Sequence, residues 1–199
     1  MKLSIKHETI YRYDSPVKRS TQYLRLTPAS DARQQVLSWA LELPAPASRC
    51  LDAYGNVMHV LTLDQPHSEI HLHARGEIET RDGEARPDPQ DLFPPEVFLR
   101  DSPLTQADAA LRSFAEAHAA KVKAQPQEGL MVLMAALGEL MPYTPGATDA
   151  ATPAAEAFAS GLGVCQYHAQ VFATCARLLR LPTRYVSCYL ATDANHVAS

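Results

Sequence analysis

The sequence contains no apolar run of membrane-spanning length, which excludes a transmembrane helix. Its first residues, Met-Lys-Leu-Ser-Ile-Lys-His, turn polar too early for a secretory signal, so we expect a cytoplasmic protein. A basic excess is also absent, because 18 Lys and Arg stand against 22 Asp and Glu and give a net charge of −4. We therefore expect neither nucleic acid nor a membrane surface as a partner.

Cysteine is scarce as well. The four cysteines, Cys50, Cys165, Cys175 and Cys188, form neither a disulfide-dense pattern nor a C-x-x-C metal motif. This usage is typical of a reducing compartment, where thiols stay free.

Residues 1–85 show the period-two alternation of β-strands. Apolar and polar residues alternate in four segments that begin near Leu3, Leu37, Val57 and Ile70. We predict an all-β N-terminal domain with the architecture of a β-sandwich. Prolines then become frequent, with five between residues 86 and 104, and they block both helix and central strand. We interpret 86–104 as a semi-rigid linker.

Residues 105–199 change to a helical period. We predict Thr105 as the N-cap of a first helix, with Asp108 at its capping-box position. The predicted elements are helices over 105–123, 127–141, 153–159 and 165–180, followed by a strand over 183–190. The apolar stripe of the second helix comprises Leu130, Leu133, Met134, Leu137 and Met141. Overall we predict an α+β fold, in which a β-sandwich precedes a mainly helical core with an incomplete antiparallel sheet.

The segment Gly161-Leu-Gly-Val-Cys-Gln-Tyr-His168 places a thiol where a turn gives way to a helix. Gly161 and Gly163 allow a sharp turn and a close backbone approach. The amides of the first helical turn have no partner within a helix, and together with the positive end of the macrodipole they favour the thiolate of Cys165. The same amides can form half of an oxyanion hole. We predict Cys165 as a nucleophile whose thiol lies on the core side of the helix. The predicted buried stripe starts at this cysteine and continues through Ala169, Phe172, Ala176 and Leu179.

Most free cysteines act as small buried hydrophobes, and this is the alternative interpretation of Cys165. Cys175 lies in mid-helix among apolar neighbours, and Cys188 lies on the alternating face of the predicted strand. We interpret both as packing residues. Cys50 lies in a connection rich in Pro and Ala.

These residues resemble the bacterial transglutaminase-like proteins. Gly-Leu-Gly-Val-Cys165-Gln and the stretch from Cys175 to Leu190 are similar to that family's papain-like core, where G-x-G-x-C-Q leads through a helix to P-x-R-Y-V-x-G-Y-L. The N-terminal segments His7-Glu-Thr-Ile-Tyr-Arg-Tyr13, Leu24-Arg-Leu-Thr-Pro28 and Asp52-Ala-Tyr-Gly-Asn56 resemble its β-rich N-terminal domain. The sequence departs from the pattern at three positions, with Tyr167 and Gln170 in place of an aspartate and a histidine, and Cys188 in place of a glycine.

The resemblance implies a Cys-His-Asp triad that cleaves or transfers amide bonds of a peptide or protein through a thioester, without a cofactor. It assigns the nucleophile to Cys165 and makes Gln166 and Tyr143 candidates for the oxyanion hole or the pocket. In the family the histidine lies shortly after the Y-L strand, whereas this sequence ends Val197-Ala198-Ser199. We therefore expect a chain truncated just before its catalytic histidine, inactive as a fragment, with an active parent protein.

Three histidines could substitute for the missing base. His196 lies close to the expected position but out of register, and His168 lies one helical turn from Cys165. The third, His118, lies on a predicted helix face, where we expect it to be solvated. Both His196 and His168 are weak alternatives, since most lone histidines are structural or exposed.

A metal site is conceivable at three further histidines, His67, His71 and His73. Two histidines at i and i+2 on a strand can chelate a metal, but these three also form the polar face expected of a half-buried strand. No suitably spaced third ligand follows apart from Glu69 or Glu77, so we predict no metal.

The sequence is also compatible with other functions. A catalytically silent binding or assembly module would use the same fold, and redox sensing would pair Cys165 with Cys188 on oxidation. If the sheet of the core is incomplete, the predicted strand over 183–190 exposes an edge. A second copy of the chain could cover that edge, which predicts a homo-oligomer.

Overall fold

The computed structural model describes residues 1–83, 93–144 and 151–191, together with the backbone of 197–198. The chain forms two compact units, one made of Met1–Phe93 with Cys188–Ser199 and the other of Pro94–Ser187. Within the described residues these contain two three-stranded antiparallel sheets and four α-helices. The predicted α+β class is therefore confirmed.

The first unit contains both three-stranded sheets. Its strands are β1 (Lys2–Val17), β2 (Ser20–Leu24), β3 (Gln34–Glu42), β4 (Ala47–Leu51), β5 (Val57–Leu63) and β6 (His67–Thr80). One sheet has the order β1-β6-β3 and the other β2-β5-β4. Leu24 and Leu61 of the second sheet form one buried cluster with Ile70 and Leu72 of the first. Both sheets thus contribute to one core, as the predicted sandwich requires.

Two of these strands, β2 and β4, were not predicted. β4 pairs with β5 along its whole length, yet all but one of its residues are exposed, so it shows no alternation in burial. Backbone hydrogen bonds to a neighbour can define an edge strand whose side chains lack a hydrophobic period. Cys50 consequently lies on β4, exposed, rather than in a connection.

The turn between β4 and β5 is organised by Asp52. Its carboxylate accepts hydrogen bonds from the backbone amides of Tyr54 and Asn56, both at 2.9 Å, and from the Asn56 side chain at 3.0 Å. Arg25 Nε lies 2.6 Å from the same carboxylate, whose side chain is only 8% exposed. The hydrogen bond from Arg25, followed by that from Asn56, holds the pKa of Asp52 far below its ordinary value of 3.8.

We expect Asp52→Ala to destabilise the first unit by about 2 kcal/mol, because four donors lose their acceptor. The lowered pKa means that the ionised carboxylate stabilises the fold above about pH 4 and that this contribution disappears as the pH falls further. Urea unfolding near neutral pH and near pH 3 should therefore show a smaller difference between wild type and variant in acid. Asp64→Ala, which removes an exposed carboxylate paired with Arg19, is the control, and an equal loss in both variants would contradict the assignment.

The three histidines considered as metal ligands contact carboxylates and other polar groups. His71 Nε2 lies 2.9 Å from Glu69, and His73 Nε2 lies 2.8 Å from Glu8. His67 contacts Ser20 and the backbone. The pKa of His73 is raised, mainly because its imidazole forms the hydrogen bond with Glu8. The described part of the chain holds no group of three or more metal-ligating side chains.

The second unit is helical. It contains α1 (Ala109–Ala124), α2 (Pro126–Leu140), α3 (Ala154–Ser160) and α4 (Cys165–Leu178), preceded by 3-10 turns at Pro95–Leu99 and Pro103–Thr105. Its main buried side chains are Leu111, Leu133, Leu137, Met141, Tyr167, Val171 and Cys175. No helix in the described ranges is both long and apolar enough to span a bilayer.

Two details of the predicted helices are wrong. The N-cap of α1 is Asp108, whose side chain accepts a hydrogen bond from the amide of Leu111 at 2.8 Å, and not Thr105. Thr105 instead ends a 3-10 turn, because Gln106 is extended and interrupts the helical path. On α2, Met134 is 49% exposed, since the core stripe follows Leu133, Leu137 and Met141 at a spacing of four.

The final residues of the predicted linker, 94–104, belong to the second unit. Arg177 of α4 binds this part of the chain. It donates hydrogen bonds to the carbonyl of Phe98 at 3.1 Å and to the hydroxyl of the adjoining Thr105 at 2.8 Å. The same guanidinium donates to the carbonyl of Thr183 at 2.7 Å. The prolines thus form two tight turns that are anchored to α4.

The strand predicted over 183–190 is not formed at residues 183–189, which pair with no other strand in the described residues. A short antiparallel pair joins Leu190–Ala191 with Val197–Ala198. Alternation in a sequence records which side chains prefer burial, but a strand also needs a neighbouring backbone with which to form hydrogen bonds. The exposed edge on which the homo-oligomer prediction was based is therefore absent from 183–189.

Candidate active site

Cys165 is the first residue of α4. Val164, the N-cap, has extended backbone geometry, and its apolar side chain forms no capping hydrogen bond. The first turn contains no acidic residue that would oppose the positive end of the helix macrodipole. This end of the helix therefore favours negative charge on a thiolate or on an oxygen close to it.

The thiol of Cys165 is exposed, so its predicted place on the core side is wrong. The stripe of α4 that packs into the core runs through Tyr167, Val171 and Cys175, and it begins two residues later than predicted. Phe172, which the prediction placed in the core, is only half-buried. The rotation turns Cys165 toward solvent, where a substrate can reach the sulfur.

Two glycines shape the turn before Cys165, as the sequence predicted. Gly161 ends α3 with a φ of 64°, a left-handed conformation that favours glycine. Glycine is needed at residue 163 for another reason, namely space. A Cβ atom there would lie 2.8 Å from Nε2 and 2.9 Å from Nδ1 of His168. Only a residue without a side chain allows the imidazole to lie against this backbone.

His168 ties the turn to the end of α2. Its Nδ1 lies 2.9 Å from the carbonyl oxygen of Val164, and its Nε2 lies 2.6 Å from that of Met141. A neutral imidazole has a single N–H and donates to only one of these oxygens, while the doubly protonated ring donates to both. Both nitrogens face backbone oxygens in this arrangement, so the ring links α4 to the end of α2. The weakly predicted role of His168 as a base stays a prediction.

Tyr143 is brought next to the cysteine through its backbone. Residue 143 forms a parallel bridge with Gly163, in which the amide of Thr144 donates to the Gly163 carbonyl at 2.7 Å. The amide of Gly163 in turn donates to the carbonyl of Pro142 at 3.3 Å. The side chain of Tyr143 is 66% exposed. Its role in the pocket stays a prediction, as does that of the half-buried Gln166 in the first turn of α4.

Cys175 provides a contrast on the same helix. It is fully buried, and burial raises the pKa of its thiol to about 12. A thiol in this state is almost entirely protonated near neutral pH and is a poor nucleophile. Its interpretation as a packing residue is confirmed, and it offers an internal reference for the exposed thiol of Cys165.

Two candidate histidines remain, His196 and His118, and the weakly predicted role of His196 as a base stays a prediction. His196 lies outside the described residues. His118 is half-buried on α1 instead of solvated, because its Nδ1 lies 2.9 Å from the carbonyl of Phe114 and its ring packs on that phenyl group.

Two departures from the family pattern prove to be interior positions of α4. Tyr167 is buried, and its hydroxyl donates to Thr152 at 3.0 Å. Gln170 is 5% exposed, and its side-chain oxygen has no hydrogen-bond partner among the described residues. The contact between Gly163 and His168 was not predicted, although the glycine spacing was a signal that some group approaches closely there.

Comparison with known proteins assigns both halves of the chain. Residues 3–79 match the bacterial transglutaminase-like N-terminal region, and residues 112–198 match the transglutaminase-like superfamily. The helix that begins at Cys165 lies inside the second match.

Relatives and a solved structure cover nearly the whole chain. An uncharacterized protein of Mycobacterium leprae is 29% identical over 95% of this chain and 71% of its own length. One from Mycobacterium tuberculosis is 28% identical over 95% of this chain and 66% of its own length. The crystal structure of a “Putative Cysteine Protease” from Cytophaga hutchinsonii superposes with a TM-score of 0.72 at 19% identity, covering 92% of this chain and 65% of that one. The chain thus has this fold and spans about two thirds of these longer proteins.

Proposed function

Because the chain belongs to the transglutaminase-like superfamily, with that family's core behind the bacterial N-terminal region, we propose that Cys165 is the nucleophile of a cysteine-dependent acyl transfer on amide bonds. The observation that carries the proposal is the exposed thiol at the start of α4, whose first turn holds no acidic residue. The substrate class that we propose is a peptide or protein amide.

The proposed reaction has two steps. The thiolate of Cys165 attacks the amide carbonyl carbon, and a C–S bond forms while the C–N bond breaks and the amine leaves with a proton from a general acid. Water then attacks the thioester carbon, the C–S bond breaks, and a carboxylic acid leaves with the Cys165 thiol regenerated. If an amine attacks instead, the same C–S bond breaks and a new amide forms. We propose hydrolysis, hence a peptidase or amidase, as the first activity to test. In the proposed reaction the backbone amide of Cys165, at the positive end of the α4 macrodipole, stabilises the oxyanion in both steps.

The base and its orienting carboxylate have to come from outside α4. The one histidine of α4, His168, directs both nitrogens to backbone oxygens. The family resemblance implies a histidine and an aspartate later in the chain order, so the complete activity is proposed for the longer protein.

An activated ester tests the nucleophile without requiring a protonated leaving group. We expect p-nitrophenyl acetate to acetylate Cys165 at least about tenfold faster than Cys50 or Cys188, because only Cys165 lies at a helix N-terminus. Site-resolved mass spectrometry measures all three exposed thiols in one sample, and added imidazole should accelerate turnover by supplying a base. Cys165→Ala should remove the fast phase, with Cys50→Ala as the matched control.

The second candidate is a catalytically silent binding or assembly module on the same fold. The engagement of both His168 nitrogens with the backbone is the observation that favours it. Acetylation of Cys165 at the rate of Cys50 and Cys188 would contradict the enzyme and leave this module.

We further propose a cytoplasmic location, which the four free thiols support because a reducing environment preserves them. Homo-oligomerisation stays a prediction, and the molar mass in solution tests it.

A further inference from the structure

The first unit contains an open cleft of about 690 Å³ that lies away from the cysteine helix in sequence. Residues of β3, β4 and β5 line it, together with the β3–β4 connection. The residues that line it are Thr27, Trp39, Leu41, Leu43, Pro44, Ala45, Pro46, Ala47, Arg49 and His59. This volume is in the range of small-molecule and peptide-side-chain sites.

Two polar atoms in the wall of the cleft lack a partner. Nε1 of Trp39 and Nδ1 of His59 are both buried, and neither forms a hydrogen bond within the part of the chain that the structure describes. Buried polar groups are hydrogen-bonded in the great majority of cases, and leaving one unsatisfied costs about 1–3 kcal/mol. The indole of Trp39 can only donate, so an acceptor on a bound molecule would satisfy it.

The indole of Trp39 is held in place from two sides. A Cβ atom at Gly76 of β6 would collide with the indole ring and with the carbonyl of Ser38, so glycine is what allows the ring to lie on that strand. On another side the ring of Tyr189 packs at 5.9 Å, and the Tyr189 hydroxyl lies 3.1 Å from His7. The donor is therefore fixed before any ligand binds.

The charge of the cleft is positive. Arg49 pairs with His59 across β4 and β5, and it forms no ion pair within the described ranges. None of the lining residues is acidic. Burial, together with the charge of Arg49, lowers the pKa of His59, which keeps that imidazole neutral near pH 7. Arg49 thus stands as an unneutralised cation beside an indole donor.

Much of the remaining lining is aliphatic. Leu41 lies on β3 and Leu43 directly follows that strand, and residues 44–47 add the sequence Pro-Ala-Pro-Ala. The strands that border the cleft, β3 and β4, each lie at the edge of their sheet, so part of their backbone hydrogen-bonding groups face outward. An extended peptide can pair with such an edge.

We propose that this cleft binds the C-terminal end of an extended peptide. The free carboxylate contacts Arg49 and the indole N–H of Trp39, while an aliphatic last side chain packs on Leu41, Leu43 and the proline-rich connection. The cleft is larger than a single residue needs, and edge strands can bind the preceding amides, which favours a peptide over a small carboxylic acid. The proposal is independent of catalysis by Cys165.

The test uses the one tryptophan of the chain as a reporter. We expect the peptide acid Ac-Ala-Ala-Leu to change Trp39 fluorescence saturably and calorimetry to give the same affinity. Arg49→Gln and the peptide amide should each weaken binding by about tenfold or more, because a charge-assisted contact is lost. Arg33→Gln, at an exposed arginine of the same unit that does not line the cleft, should leave binding unchanged.

Trp39→Phe keeps an aromatic ring on Gly76 but removes the donor, and calorimetry should show binding weakened by about fivefold. Equal affinity for acid and amide, or for Arg49→Gln and Arg33→Gln, would overturn the carboxylate site. Binding of N-acetylleucine as tightly as the tripeptide would overturn the peptide as occupant. Absence of binding at millimolar peptide, with wild-type circular dichroism, would overturn the proposal as a whole. Cys165→Ala should bind like wild type, so failure here is separable from failure of the proposed enzyme.

Discussion

Replacing Gly129 with alanine is expected to destabilise the second unit by about 3 kcal/mol or more. Gly129 lies in the first turns of α2, where it is buried against the end of α1. A Cβ atom there would lie 2.5 Å from the Cα and 2.6 Å from the backbone nitrogen of Val122. These are backbone atoms of a packed helix, so relief requires that α1 and α2 move apart and that Leu133 loses its close packing.

The matched control is Gly138→Ala on the same helix. No atom lies within 4 Å of the Cβ position at Gly138, and alanine is a better helix former than glycine by about 1 kcal/mol. The two substitutions have the same chemistry and opposite expected signs. Urea unfolding followed by far-UV circular dichroism reports the helical unit, while Trp39 fluorescence reports the first unit. Equal stability changes in the two variants would show that helix propensity, and not the close approach to Val122, determines the result.

The second large effect is expected at Gly163. Gly163→Ala forces a methyl group into the ring of His168, and either the imidazole or the turn before Cys165 must move. A displacement of about 1 Å at a reacting group can reduce a rate about 100-fold, so we expect a loss of this order in the acetylation rate of Cys165. Cys50, in the other unit, should react as in wild type.

A double-mutant cycle separates the collision from other effects of the substitution. His168→Ala alone removes the contacts with Val164 and Met141 and should slow the acetylation of Cys165 by loosening the turn. In the combined Gly163→Ala and His168→Ala variant the methyl group has room, so the rate should exceed that expected from adding the two separate losses. Strict additivity would contradict a direct contact between Gly163 and His168 as the cause.

Much of the candidate site could be predicted from the sequence, because its signals are local. The pair Gly161 and Gly163 followed by Cys165 indicates a tight turn and a helix start, and both glycines have the uses that the pattern suggests. The burial of Cys175 was equally predictable from its apolar neighbours in a helix.

Other features depend on contacts that are distant in sequence. The face that Cys165 presents depends on which stripe of α4 packs on the rest of the unit, and a difference of two residues exposes the thiol. The partners of His168 include Met141 at the end of α2, which no local pattern indicates. The edge strand β4 exists because β5 offers a backbone, even though its own side chains are exposed.

By itself, the sequence determined the α+β class, the strand and helix periods and the glycine turn before Cys165, because each rests on residues within a few positions of one another. Tertiary structure alone decided the orientation of Cys165, the contacts of both His168 nitrogens, the anchoring of residues 94–104 by Arg177 and the cleft beside Trp39. Each of these depends on backbone and side-chain groups that come into contact only when separate elements pack. Local sequence periodicity carries no information about such contacts.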